Sequence, residues 1–158
     1  MPIYMNYNNI PGDVTADGHV NWIELNSFQW GVGRGISSPT GGSADRESSP
    51  PSLSEITVTK DQDKSSTKLL LEAYQGEGTD VVIDFCKTDK GNLEVFLEFT
   101  LNKTMVSGFS MSSGGDRPSE TLTLNFTKVE YKLITQNPDG TTGDPDTATY
   151  DIGLAHVV

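Results

Sequence analysis

The sequence is short of cations, of histidine and of cysteine. Lysine and arginine total 11 against 22 aspartates and glutamates, a formal net charge of −11. A phosphate backbone is held by clustered cations, and none cluster here. That argues against a nucleic-acid partner and against insertion into or docking on an anionic membrane. No apolar run approaches the length of a membrane-crossing helix. The opening Met1-Pro2-Ile3-Tyr4-Met5-Asn6 has neither the basic start nor the apolar stretch of a signal peptide, so no export signal is expected there. The single cysteine, Cys86, excludes an internal disulfide and, sitting in an apolar run, is expected to pack as a small hydrophobe. The two histidines, His19 and His156, lie near opposite ends with no Ser-, Cys- or metal-type motif around either. Both read as surface or sheet-edge residues. No catalytic residue, metal or cofactor is expected.

What is present is a β pattern. The 158 residues are 34% hydrophobic with 16 glycines, and one domain over residues 1–158 is expected. Ile3 to Asn9 reads as a short strand ended by Pro11-Gly12-Asp13. Val20 to Val32 reads as a longer one whose apolar phase switches between Leu25 and Phe28, which places a bulge near Asn26-Ser27. Residues 33–52 carry Pro39, Gly41-Gly42 and Pro50-Pro51 among serines and charges, and read as an extended loop with almost nothing to bury. Leu53 to Thr59 is a strand. A helix follows over residues 65–75, with Ser65 or Ser66 as its N-cap, Leu69/Ala73 and Leu70/Tyr74 at i,i+4, and Gly76 as its stop.

From Asp80 onward the alternation is continuous. Val81, Ile83 and Phe85 share one phase, and Thr88-Asp89-Lys90-Gly91 is a hairpin turn. Leu93 to Leu101 has the cleanest period of two in the chain. Thr104 to Ser112 is a further strand, ended by a turn over residues 113–118. Glu120 to Thr135 reads as one long strand bent near Thr127-Lys128. A second loop runs from Asn137 to Asp146, and Ala148 to His156 is the last strand. Short strands with a lone helix predict a mainly β fold, a closed or nearly closed β-barrel or a two-sheet sandwich.

Several patterns resemble chemical sites and are accounted for otherwise. The acidic loop from Asp139 to Asp146 lacks the closing glutamate of an EF-hand, and turn chemistry accounts for its Asp, Gly and Pro. Gly31, Gly33 and Gly35 lack the spacing and following helix of a phosphate loop. Glu94 and Glu98 form a carboxylate pair around Phe96, and read as a solvated strand face rather than a glycosidase pair. Asn102-Lys103-Thr104 and Asn125-Phe126-Thr127 match the glycosylation pattern by chance.

Specific blocks carry a resemblance. Ile56-Thr57-Val58-Thr59-Lys60, then Asp63-Lys64-Ser65-Ser66 and a leucine-rich helix, is similar to the "T-K-x-x-D-K-S-[ST]" segment of the haemolysin-coregulated protein (Hcp) family, the tube proteins of bacterial type VI secretion systems. Val106-Ser107-Gly108-Phe109-Ser110, then Gly114 to Pro118, then Glu120 to Phe126 resembles that family's "V-S-x-x-S … G-G-x-[ED]-x-P-x-E-x-[LV]-x-L-x-F" stretch. Ile23-Glu24-Leu25 with Phe28-Gln29-Trp30-Gly31, and Tyr150-Asp151-Ile152, are weaker matches. The first loop departs from many relatives in being rich in Ser, Pro and charge rather than glycine.

The resemblance implies a mainly β fold, a two-sheet β-barrel with one flanking α-helix, phage tail-tube-like, whose subunits form homohexameric rings stacked into a tube. It implies as partners the chain itself, the sheath, spike and baseplate proteins of the machine, and small effectors carried in the lumen. It also implies a chain held in the bacterial cytoplasm and then expelled. On that basis Gln29 is expected to face the lumen. Ser38, Pro39, Thr40, Gly41, Gly42, Asp45, Arg46 and Glu47 are expected to contact the next ring, and Gly114, Gly115, Asp116 and Arg117 to lie at the ring face. The rivals are a phage-type tail tube protein and a monomeric carbohydrate-binding β-sandwich.

Overall fold

The computed structural model describes residues 1–38 and 46–158. Its first sheet is built from β1 (Ile3–Tyr7) and β2 (Ile23–Leu25), which pair antiparallel. The chain then changes sheets at Asn26. β3 (Ser27–Gln29) pairs with a strand of the second sheet, and the Asn26 amide donates to the Thr59 carbonyl at 2.7 Å. The apolar phase switch that predicts a bulge in one strand therefore marks a corner between two strands. Leu25 faces the core from one sheet and Phe28 from the other.

The segment expected to be a plain loop is an extended antiparallel ribbon. β4 (Val32–Gly33) and β5 (Ile36–Ser37) run out from the body, and β6 (Glu47–Ser48) and β7 (Ser52–Leu53) run back. Serine side chains replace hydrophobic packing here. Ser54 Oγ accepts from the Gly31 amide at 2.9 Å and Ser49 Oγ from the Gly35 amide at 3.1 Å. Such local side-chain bonds order backbone without a core.

β8 (Ile56–Asp61) leads through Asp63 into α1 (Ser66–Gln75); Ser65 holds the N-cap position but turns its hydroxyl to Asp63 rather than to the helix amides, and Gly76 ends the helix. β9 (Thr79–Asp89) and β10 (Asn92–Ser112) form a hairpin whose two turn residues, Lys90 and Gly91, have φ of 51° and 80°. Both positive values are those of the primed turn that matches strand twist. β10 is one strand of 21 residues, where the sequence reads as two. Its first half pairs with β9 and β12, its second half with β11, and Lys103 at φ 51° marks the change.

The predicted long strand after Pro118 is likewise two: β11 (Ser119–Asn125) in the second sheet and β12 (Lys128–Leu133) in the first. β13 (Asp146–Asp151) and the short β14 (His156–Val157) complete the first sheet as a hairpin. Its order is β2-β1-β9-β10-β12-β13-β14, and the second sheet reads β10-β11-β8-β3. The hydrogen-bonded ladder does not close into a full barrel. The two inner faces enclose a core of Met5, Tyr7, Ile23, Ile56, Val58, Leu69, Val81, Ile83, Leu101, Leu122 and Leu124, all 0% exposed.

A polar network lies at that core boundary. Lys60 on β8 is fully buried and faces Glu120 on β11, with Nζ 2.7 Å from Glu120 Oε1 and 3.1 Å from Asp63 Oδ1. Ser66 Oγ donates to Glu120 Oε1 at 2.8 Å and accepts from the Asp63 amide at 3.1 Å. The network thus ties the start of α1 to both strands. Its members Lys60, Asp63 and Ser66 come from one block of the resemblance and Glu120 from the other, so two stretches far apart in sequence meet at one buried cation.

Residues 10–22 fold back over the outer side of the first sheet. The Gly12 amide donates to the Asn21 carbonyl at 2.8 Å. A Cβ at Gly12 would sit 2.3 Å from the Trp22 carbonyl oxygen, closer than any real contact. Gly12→Ala is therefore expected to lower stability by about 1–3 kcal/mol, since only backbone can yield there. Thermal unfolding of the variant beside the parent protein measures it.

Candidate functional site

Among the described residues no three of His, Cys, Asp and Glu converge as a metal-ligand set. The chemistry on the surface is that of faces and edges. Strands β3, β8 and β11 alternate strictly, because side chains point to opposite faces with a period of two. The row Phe28, Val58, Leu122 and Phe109 points inward. The neighbouring outward rows are Ser27-Thr59-Thr121-Ser110 and Gln29-Thr57-Thr123-Gly108. They hold hydroxyl, amide or no side chain and no charge. Ser27 and Thr59 join by their hydroxyls at 2.5 Å, and Ser107 Oγ donates to Thr123 Oγ1 at 3.0 Å. Gln29 lies on this face, exposed and opposite Thr57.

Sequence reasoning singled out Gln29 and missed its companions. The signal was available in Thr57/Thr59 and Thr121/Thr123, which sit at every second position against Ile56/Val58 and Leu122/Leu124.

Both edges of this four-stranded sheet are open among the described residues. β3 pairs only with β8, and the Met105–Ser112 half of β10 pairs only with β11. Natural edge strands are guarded by charge or proline. Here the sequence from Leu25 to Gly33 and from Thr104 to Ser113 contains neither. On a chain of −11 these are neutral stretches.

The ribbon of β4–β7 carries the residues expected to touch a neighbour. Ser38, Arg46 and Glu47 are exposed on its outer half; Pro39, Thr40, Gly41, Gly42 and Asp45 lie outside the described residues. At the ribbon's root a cleft of about 290 Å³ opens between Trp30, Val32 and Leu53 on one side and Tyr131, Tyr150 and Val157 on the other. Its walls are apolar, and Trp30 Nε1 is buried with no hydrogen-bond partner among the described residues.

Gly114, Gly115, Asp116 and Arg117 form the exposed turn between β10 and β11, with Gly115 at φ 108°. Ser113 Oγ steadies it, donating to the Asp116 carbonyl at 2.9 Å. Arg117 overlooks a small cleft with Asp13, Glu24, Asp61 and Asp63, so this turn lies beside the Asn26 corner and the start of α1.

His19 is not a surface residue: it is 6% exposed, with Nε2 2.8 Å from Asp84 Oδ2, because residues 10–22 press it onto the sheet. His156 is exposed on β14. A bulge at Phe96 separates Glu94 from Glu98. Glu94 accepts from Gln136 Nε2 at 2.8 Å, while Glu98 faces Asp84 across the ladder. Burial, with the carboxylate of Asp84, pushes Cys86 up to about 11, so it is an inert packed thiol. Asp139 caps its own turn by accepting from the Thr141 hydroxyl at 2.7 Å and the Thr141 amide at 3.0 Å, and these bonds hold its carboxyl below the usual range.

Comparison with solved structures finds the same fold elsewhere. A structure described as a type six secretion system protein superposes with a TM-score of 0.88 at 24% identity, covering 99% of both chains. Hcp1 from Salmonella typhimurium gives 0.80 at 22% identity, covering 99% of this chain and 98% of that one. A type VI secretion system effector from Yersinia pestis gives 0.73 at 20%, covering 94% and 98%. Identities this low speak to the fold. No curated protein sequence matches the chain. The sequence profile described as "Type VI secretion system effector, Hcp" matches residues 4–133, and over that span, most of its length, this chain belongs to the Hcp family of type VI secretion proteins.

Proposed function

We propose that the chain is a non-catalytic subunit of a type VI inner tube, built from six-membered rings that stack. The observation that carries this reading is the second sheet, antiparallel throughout, open and uncharged at both edges, with a hydroxyl-lined outer face. Because β3 and β10 run in opposite directions, β3 of one copy laid beside β10 of the next continues the antiparallel order. That contact joins two different patches, and such heterologous contacts close into rings.

Six copies bring roughly two dozen strands together. At ~4.8 Å spacing and ~40° tilt these enclose a circle about 50 Å across at the backbone. The hydroxyl rows then line the inside, with Gln29 in the lumen wall beside Thr57. Small effectors ride there, and the sheath, spike and baseplate meet the outside. Ser38, Arg46 and Glu47, with the neighbouring Pro39, Thr40, Gly41, Gly42 and Asp45, reach the next ring. The turn from Gly114 to Arg117 lies at the ring face. The apolar cleft beside Trp30, rimmed by the exposed Val32 and Val157, supplies area that a neighbouring copy covers. The chain waits in the bacterial cytoplasm and leaves with the fired tube.

The test is the native mass by light scattering, followed by negative-stain images of the same peak. A six-subunit mass with annular particles is expected. A strict monomer at every concentration, retained on a sugar resin, would replace the ring reading with that of a carbohydrate-binding sandwich.

A further inference from the structure

The buried pair His19–Asp84 plays no part in the assembly reading, and its surroundings give it another role. Residues 10–22 form a strap across the outer side of the first sheet. The Val14 amide donates to the Trp22 carbonyl at 3.1 Å and the Asn21 amide to the Val14 carbonyl at 2.7 Å. Beneath it Val14 packs with Tyr4 and Cys86 in a small cluster of its own, apart from the main core. His19 is its deepest polar residue. The imidazole stands edge-on to Trp22, with ring centres 4.6 Å apart, and lies 5.2 Å from Tyr4.

Asp84 is 4% exposed, and only one of its oxygens is used. Oδ1 of Asp84, like Nδ1 of His19, is buried with no partner among the described residues. Directly across the ladder from Asp84 stands Glu98, and across from Glu98 stands Lys132. The other titratable groups facing this spot are Tyr4, with Glu24 opposite it on β2, Cys86 on β9 and Glu130 on β12.

We propose that the strap is a latch set by one proton between Glu98 and Asp84. With Glu98 protonated, its carboxyl O–H donates to Oδ1 of Asp84, which then holds His19 through Oδ2 as a fully bonded acceptor. With Glu98 ionised, two carboxylates face each other, Oδ1 loses its donor, and the strap opens more often.

The electrostatics agree in sign. Burial first, and then hydrogen bonding to and repulsion from Asp84, push Glu98 up from 4.5 to about 6, against the opposing pull of Lys132. The folded chain therefore holds this proton more tightly than the unfolded one. Its contribution is full below about pH 4.5 and is lost as pH rises through about 6. The latch tightens in mild acid.

The experiment is amide hydrogen exchange on the full chain at pH 5.5 and pH 8, read as protection factors for Val14 and Asn21 beside Ile83 of β9. The strap amides are expected to lose about three- to tenfold in protection at the higher pH while Ile83 does not. In Glu98→Gln, whose amide still donates to Asp84, the difference between the two pH values should vanish. As a second measurement at fixed pH 8, the only thiol, Cys86 under the strap, should react more slowly with dithiodipyridine in Glu98→Gln and faster in His19→Gln. An equal loss at Ile83 would mean global rather than local opening. That result, an unchanged strap in the parent protein, or a pH response surviving in Glu98→Gln each overturns the proposal.

Discussion

Replacing Lys60 with methionine should cost the fold about 3–5 kcal/mol, the largest effect expected of any single substitution here. The methionine fills the space, but Glu120, 2% exposed, and Asp63, 10% exposed, then face each other's charge without a cation. Removing one partner from a buried ion pair leaves an uncompensated charge, which is far more costly than never having had the pair. The companion variant Lys60→Met/Glu120→Leu should recover much of the loss, because it clears the charge from the strand pair and leaves Asp63 at the edge of the network. Urea unfolding at one fixed protein concentration decides it, since assembly would otherwise add its own stabilisation. A single variant as stable as the parent would show that the network contributes nothing to the fold.

The second large effect concerns assembly and leaves the fold alone. Removing residues 36–48, so that Gly35 runs through a two-glycine turn into Ser49, should abolish ring stacking while changing the melting temperature by only about 2–3 °C. The cut is geometrically natural. Gly35 and Ser49 already pair, with the Ser49 amide donating to the Gly35 carbonyl at 2.9 Å. The described residues of the removed segment are exposed, so no core area is lost. Electron micrographs of concentrated protein, or sedimentation, separate single rings from stacks. Stacks that persist would move the inter-ring contact away from this ribbon. An unfolded product would place the ribbon in the core.

Much of this architecture could be read from alternation alone. β9, the first half of β10 and α1 follow from one-sided patterns whose period matches their structure, as with Val81, Ile83 and Phe85 or Leu69 and Ala73. The corners were harder. Leu25 and Phe28, or Leu124 and Val129, break phase because the chain passes from one sheet to the other. In the sequence such a passage is indistinguishable from a bulge. The reverse error occurs at Lys103, where an apparent break between strands is a local left-handed residue inside one continuous strand. The ribbon was missed because hydroxyls of Ser49 and Ser54 order it, and serine-rich composition reads as loop. His19 was misplaced for a related reason: nothing local announces a histidine whose partner, Asp84, lies 65 residues away. Of the hydroxyl-lined face the sequence singles out Gln29 alone, since its other members become a surface only once β3, β8, β11 and β10 lie side by side.

The length of β10 also bears on how the chain reaches its native state. The β9–β10 hairpin closes over the short Lys90-Gly91 turn, so it can form early and locally, within microseconds once the turn is set. Two further strands, β12 and β11, then find one half or the other of the same strand. β12 and β9 flank its beginning and β11 its end. The pairings of β1 with β9 and of β8 with β11 instead close long stretches of chain, and such distant contacts are what slow the folding of β proteins. Both sheets thus share β10, and each takes its part of the core from a different half of that one strand.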